Sequence, residues 1–338
     1  MRRAPVRDRV PTATVDAVGP TAGAPPARPR IAVVGAGRCG SALAIAAHRA
    51  GYTIAAVTSR TPEHARALAA RVGAVTVDSA VAATRHADLI LLTVPDAQIT
   101  RVAATIAASG ASLGGRSLVH CSGAHPAAVL AAARHAAGAV GSVHPLQSLT
   151  GGDAAGALRG SHFAIEADAR LQPVLERLVG DLGGIPFTVP AGGRVLYHAA
   201  AVLAGNAPLV LVARAAALLE SAGVDAGIAG EALATLLEGA ARNARRLGVR
   251  SALTGPVVRN DAETVDRHLE ALRCDPDTRR LYRELATETL RTAGGIGREE
   301  VAAVLAAAGS PSGGRRRVGR GRVRPAPLAA LAPARAQA

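Results

Sequence analysis

The chain is 338 residues long with a formal net charge of +14, and all 39 of its strongly basic side chains are arginine, because no lysine occurs. That length allows two domains and a large core, and the missing lysine excludes Schiff-base and other lysine-centred catalysis. With two Phe, three Tyr and no Trp, the core is built from alanine and aliphatic side chains.

The charge is unevenly placed. Residues 1–30 contribute +4 and residues 309–338 contribute +7, so the stretch between them is near +3. Segments 1–29 and 309–338 are rich in Arg, Pro and Ala without periodicity, and both read as disordered. They lack the aromatic interleaving of a nucleic-acid-binding arm, so nucleic acid is not an expected partner. Binding through the arginines alone would be steeply salt-dependent. Cys39, Cys121 and Cys274 are scattered, with no metal-ligand or CxxC spacing. This predicts no metal site and fits a reducing cytoplasm. Met1-Arg2-Arg3 is followed by no apolar export segment. The longest apolar candidate, Tyr197–Leu219, is interrupted by His198, Asn206, Pro208 and Arg214, so a soluble protein without a membrane partner is expected.

In chain order, the first folded signal is Ile31–Val34, an apolar β-branched run that reads as a buried parallel strand. Gly35-Ala36-Gly37-Arg38-Cys39-Gly40 follows at once with G-x-G-x-x-G spacing, then a helix over Ser41–Ala50 and a second strand over Thr53–Thr58. In that setting Gly35 permits the tight turn, Gly37 lets a pyrophosphate approach the backbone, and Gly40 packs helix against strand. Arg38 and Cys39 open the helix, whose free N–H groups and positive end suit phosphate. The second strand ends in Ser59-Arg60-Thr61, with no acid before Glu63. A guanidinium with neighbouring hydroxyls suits a 2′-phosphate, so NADP(H) is the expected cofactor rather than NAD. The alternative for Arg60 is a solvated surface arginine.

Helices over Thr61–Val72, Ser79–Thr84, Gln98–Ala108 and Pro126–Ala136 alternate with strands over Val75–Val77, Asp88–Val94, Ser117–His120 and Ala139–Val143. This predicts a doubly wound parallel sheet, the Rossmann arrangement. Ser161–Glu166, a helix over Leu171–Leu182 and a strand over Ile185–Val189 extend or flank it. Ligands bind such sheets beyond the carboxyl ends of the strands. That rim collects the glycine loop, Ser59–Thr61, Val94-Pro95, Ser122 and His144, and adds Val94, Pro95 and Ser122 to the cofactor contacts. After residue 190 the strand signals end, and helices are expected over Val195–Ala222, Val224–Leu247, Asp261–Leu272, Asp277–Ala293 and Arg298–Ala308. The expected domains are therefore 30–190 for NADP and 191–308, all-helical, for substrate and dimer contacts.

Hydride delivery to a carbonyl or imine needs a proton donor near the developing charge, a role for histidine or for a tyrosine of lowered pKa. His198 is the first candidate, with Tyr197 and His144 behind it. Asn206, eight residues after His198, would share its cleft. Each has a bland alternative: His144 shapes the turn before Pro145, and His198 and Asn206 are satisfied inside a bent core helix. Pro208 removes the helical partner of the Ala204 carbonyl and predicts a kink beside Gly205-Asn206.

GAGRCGSALA (35–44), TVPDAQI (93–99), HCSGAHP (120–126), GSVHPLQS (141–148), YHAAAVLAGN (197–206) and LTGPVVRND (253–261) together resemble the Rossmann-like proteins with a C-terminal DUF2520 domain. That family is related to pyrroline-5-carboxylate reductases, 3-hydroxyisobutyrate dehydrogenases and F420-dependent NADP reductases. The resemblance spans residues 30–308. It implies an NADP-binding domain, a helical domain that often forms the dimer contact, a homodimer, and reductase activity; it supplies no substrate. The lysine that the hydroxyacid dehydrogenase relatives carry in their helical domain is missing here, so their catalytic scheme does not transfer. The expectation is an NADP(H)-dependent oxidoreductase acting on a small carbonyl, hydroxy acid or imine. A non-catalytic NADP(H)-binding sensor or scaffold is the alternative.

Overall fold

The computed structural model describes residues 28–309 except 111–112, 151–152, 191 and 295–296. The expected disorder of the two arginine-rich ends falls, apart from residues 28, 29 and 309, outside the described residues. The first unit follows the alternation read from the sequence. Its elements are β1 (Ile31–Val34), α1 (Arg38–Arg49), β2 (Ile54–Thr58), α2 (Pro62–Val72), β3 (Val75–Thr76), α3 (Ala80–Thr84), β4 (Leu89–Leu92), α4 (Asp96–Ala108), β5 (Leu113–His120), β6 (Ala137–Pro145), β7 (His162–Ala167), α5 (Gln172–Asp181) and β8 (Ile185–Thr188). They form one eight-stranded sheet in the order β3-β2-β1-β4-β5-β6-β7-β8.

The central strands β1 and β4 (Leu89-Ile90-Leu91-Leu92) are buried on both faces. Each such side chain contributes about 2 kcal/mol by leaving water. One face packs on Ile31, Val33, Leu89, Leu91 and Val119, the other on Ala32, Val34, Ile90, Leu92 and Leu118. That two-sided burial is why these strands read as unbroken apolar runs.

The doubly wound parallel sheet holds through β6, and three details differ from or go beyond the expected elements. The sheet is not wholly parallel: β6 and β7 pair antiparallel and β8 runs parallel to β7, so the last two strands oppose the rest. The connection from β5 to β6 is a 3₁₀ helix over Ala127–Ala133 rather than an α-helix over 126–136. Its alanines favour helix, but β6 claims the chain from Ala137 onward, and about two turns are too few to stabilise an isolated α-helix. β5 itself begins at Leu113, four residues before Ser117, crossing Gly115 in a left-handed conformation (φ 79°) where the register slips.

The chain divides into two compact units after His198, whereas composition puts the change at residue 190. That division falls inside α6 (Arg194–Gly205), which is followed by α7 (Ala207–Ser221), α8 (Ala226–Leu247), α9 (Val249–Ala252), α10 (Ala262–Ala271), α11 (Pro276–Thr292) and α12 (Glu299–Ala307). The expected single helix over 195–222 is interrupted at Asn206, beside Pro208, as the missing proline N–H requires. Asp225, Asp261 and Asp275 cap α8, α10 and α11 by accepting first-turn N–H bonds.

The second unit has a small core of its own: Val257, Val265, Leu269, Ala286, Val301 and Leu305. In contrast, α7 has no buried residue and α8 only Ala229. Exposed leucines crowd this region, Leu203 at 70% and Leu236 at 67%. Within Arg194–Ser221 an 18-residue window has a mean hydropathy of 1.8 and no buried residue, so by length and composition alone the stretch matches a membrane-crossing helix.

Candidate functional site

The nucleotide loop is built as its glycines dictate. Gly35 has φ 113°, and a Cβ there would stand 2.7 Å from the Thr93 carbonyl oxygen. A Cβ on Gly40 would collide with the Gly35 oxygen and the Thr93 hydroxyl. Thr93 itself donates to the Gly35 carbonyl at 2.6 Å, fastening the end of β4 to the loop. Gly37 differs: nothing lies within 4 Å of its Cβ position, and it precedes α1 without a side-chain cap. With no side chain capping them, the first N–H groups of α1 are left for an anion, the arrangement that suits a pyrophosphate. Arg38 is exposed and Cys39 half-buried beside them. The hydrogen bond with neighbouring Cys39, and then burial, push the Cys121 thiol well up, so it stays protonated.

At the end of β2 the Thr61 N–H donates to the Ser59 hydroxyl at 3.4 Å, and Arg60 is exposed. Glu63, the nearest acid, is tied to Arg66 at 2.7 Å. No carboxylate within this turn takes the place an NAD ribose requires, and the residues present fit a 2′-phosphate. Val94 and Pro95 follow β4, and Pro95 is exposed ahead of α4. Ser122 is fully engaged: it donates to Asp96 at 2.8 Å and accepts from the N–H groups of Ala124 and His125, both at 3.2 Å. Its hydroxyl organises the loop after β5.

His120, directly before that loop, is structural. It is fully buried, donates from Nε2 to the Pro126 carbonyl at 3.1 Å and accepts the Ser122 N–H at Nδ1. Burial, chiefly, lowers its pKa to about 4. An imidazole that both donates and accepts within the protein has to stay neutral.

The chemistry-bearing residues gather on one face of β5–β8. Cross-strand register places His120 opposite Ser142, Ser142 opposite Glu166, and His144 opposite Ala164. Against this face lies the start of α6, whose residues 194, 197 and 198 share one side through i, i+3, i+4 spacing. His144 Nδ1 and the Tyr197 hydroxyl are 2.6 Å apart, their rings edge to face. His198 stands edge-on to His144 with ring centroids 6.4 Å apart. Gly123 separates the two imidazoles: a Cβ there would sit 2.9 Å from His144 Nε2 and from His198 Nδ1. The Nδ1 of His198 is buried and has no hydrogen-bond partner among the described residues.

Burial first, then the neighbouring His198 and Arg194, lowers the His144 pKa to about 4. Burial raises Tyr197 to about 12, and Arg194 works against that rise. At neutral pH the pair is thus an uncharged imidazole and an uncharged phenol. The phenol donates to Nδ1, and the ring proton then belongs on Nε2, the nitrogen beside Gly123.

Beneath them Arg194 donates from Nε to Glu166 at 3.1 Å, its side chain only 3% exposed. Its Cζ lies 5.8 Å from the centre of the Tyr197 ring. Sequence reasoning picks out His144, Tyr197 and His198 but misses Arg194, Glu166 and Gly123. The i, i+3, i+4 spacing was a signal for Arg194; nothing in the sequence ties Glu166 to it. Asn206 is exposed at the α6–α7 break and belongs to the second unit, whereas His198 closes the first. Among the described residues no three His, Cys, Asp or Glu side chains are grouped to hold a metal ion.

Residues 30–122 match the family described as NADP oxidoreductase, coenzyme F420-dependent, and residues 161–289 match the domain of unknown function DUF2520. No curated protein matches the chain. Among solved structures, a Bacteroides fragilis protein assigned as an NADP oxidoreductase is 26% identical, with a TM-score of 0.61 over 77% of this chain and 97% of its own. A Thermotoga maritima protein is 25% identical, with a TM-score of 0.63 over 78% of this chain and 98% of its own. A pyrroline-5-carboxylate reductase from Coxiella burnetii shares the fold at 17% identity, with a TM-score of 0.54 over 80% of this chain and 98% of its own. The chain thus carries, in order, a stretch that matches the NADP oxidoreductase (coenzyme F420-dependent) model and one that matches DUF2520, and it is an NADP(H)-dependent oxidoreductase.

Proposed function

We propose that this protein reduces a small C=O or C=N compound with NADPH, and that His144, Tyr197 and His198 form the proton-donating side of the site. The observation that carries this reading is the 2.6 Å contact between His144 and Tyr197 on the sheet rim. Both groups are neutral there and share transferable protons. Bound NADPH supplies a hydride. Gly35, Gly37 and Gly40, with the N–H groups of Arg38 and Cys39, hold the pyrophosphate; Ser59, Arg60 and Thr61 hold the 2′-phosphate. Val94 and Pro95 border the cofactor, and Ser122 acts on it only through the loop it organises.

His144 donates from Nε2 to the substrate heteroatom as that atom gains electrons, and its Nδ1 takes the phenol proton in the same movement. His198 faces the same glycine and adds a second imidazole. Asn206 is retained as a substrate contact at the helix break. The pyrroline-5-carboxylate reductase fold favours an imine over a 2-oxo acid, and both belong in a substrate screen.

The protein further acts as a homodimer, in which a second copy covers the exposed leucines of α6–α8, and it works in the cytoplasm. A soluble first unit that takes up Arg194, Tyr197 and His198 at the start of the apolar stretch supports this over membrane insertion.

The test is a titration with NADPH and NADH, followed by nicotinamide fluorescence, on wild type and Arg60→Ala. Tighter binding of NADPH, with the preference lost in the variant, is expected. Binding of neither nucleotide would overturn the reductase reading, and equal binding of both would overturn the role of Arg60.

A further inference from the structure

Two half-buried arginines of the second unit spend N–H groups on backbone carbonyls. Arg279 donates to the carbonyls of Leu269 and Ala308, and Arg298 donates to that of Val258. Arg194 is more deeply buried than either, yet Nη1 and Nη2 have no acceptor among the described residues. Among the described residues its one ion pair is with Glu166, which is 28% exposed and so partly screened by water. Burying a cation that is only partly compensated is costly, and an apolar side chain of similar volume is often the more stable choice. Arg194 keeps that cost in one location, over the face of the Tyr197 ring and one helical turn before His198.

The proton transfer proposed above leaves a charge behind. When the His144 Nε2–H bond breaks toward the substrate and the Tyr197 O–H bond breaks toward Nδ1, the imidazole ends neutral and the phenol oxygen ends as phenolate. In this half-buried site that anion is stabilised by a pre-placed counter-charge. Resting on that reading, we propose that Arg194 is a positioning residue: tethered by Glu166, its guanidinium steadies Tyr197 as the phenol proton moves to His144.

The groups around Tyr197 bear this out by element. Arg194 and His198 come from α6, His144 from β6, Glu166 from β7 and the uncharged Phe187 ring from β8, 5.9 Å away. Asp96 and His120 act on His144 from α4 and β5. Arg194 is the one permanently charged cation in this set.

The chain lacks Trp and has three Tyr, so phenolate absorbance is directly readable. In a background with Tyr52→Phe and Tyr282→Phe, Tyr197 alone reports. Arg194→Met should move the phenolate midpoint upward by at least one pH unit, about tenfold less phenolate at a given pH. Arg194→Lys should restore most of the loss. A purely structural arginine predicts the opposite sign, because a loosened site exposes Tyr197 and lowers its midpoint. An unchanged or lowered midpoint in Arg194→Met, with native circular dichroism, would overturn the proposal. Should that variant not fold, Glu166→Gln decides: removing the compensating carboxylate should lower the midpoint, and no change would count against Arg194. NADPH titration of the same wild-type preparation keeps failure of the reductase reading separate.

Discussion

His120 and His144 sit one strand apart, and both are held neutral by burial. Each has its pKa lowered from 6.5 to about 4, so between those values the unfolded chain binds protons that the native one refuses. Stability is therefore fully present above pH 6.5 and falls as the pH drops toward 4, by about 1.4 kcal/mol per pH unit for each histidine. Urea unfolding from pH 8 to 4.5 should show this slope, and His144→Gln should remove about half of it. A slope unaltered in that variant would mean His144 is not the group responsible. Gly123 makes a sharper single-residue case. Gly123→Ala places a methyl against both imidazoles and should cost about 1–3 kcal/mol in denaturant unfolding, while nucleotide binding persists because the loop over 35–40 is untouched.

Elements divide between those the sequence announces and those it hides. The β1–α1–β2 unit is legible because Gly35 and Gly40 must stand where backbone meets backbone while Gly37 leaves open space between them, and Gly40→Ala tests it. Collision with Gly35 and Thr93 should weaken NADPH binding at least tenfold, read by nicotinamide fluorescence; unchanged affinity would mean the loop relaxes freely. Thr93→Val, which removes the hydroxyl's bonds to the Gly35 and Val34 carbonyls, should cost about 1 kcal/mol in stability. The direction of β7 is hidden, since Phe163-Ala164-Ile165 reads the same in a parallel or an antiparallel strand. The Arg194–Glu166 pair is hidden for a related reason. Twenty-eight positions separate the two in sequence, and only the register of β6 with β7 brings the carboxylate onto the face that α6 covers. His144, Tyr197 and His198 were visible as reactive types beside strand and helix ends, but which of them touch depends on that same register.

At the scale of the molecule, the second unit buries little within itself along α7 and α8. A homodimer joined there predicts that Leu203→Asp with Leu236→Asp yields a monomer in sedimentation velocity. The double variant should keep its nucleotide affinity, because the cofactor loop lies in the first unit. A wild-type monomer in detergent-free buffer would sink the dimer, and wild-type partitioning into vesicles would favour a membrane instead.

The reversal at β7 has a consequence for how this lineage can vary. Because β7 and β8 run against the other strands, the chain leaves the sheet at the end away from the nucleotide rim, and α6 climbs back along the face. It meets Glu166 first through Arg194, then His144 through Tyr197, then Gly123 through His198. The three side chains are spaced like teeth on a rack. One residue inserted between Val189 and Arg194 would, with the helix advancing in place, turn it by about 100° and disengage all three together. The connector before α6 should therefore accept changes of residue and refuse changes of length. A library of single insertions scored for nicotinamide fluorescence and for phenolate midpoint would separate the two: cofactor binding spared, the tyrosine signature erased.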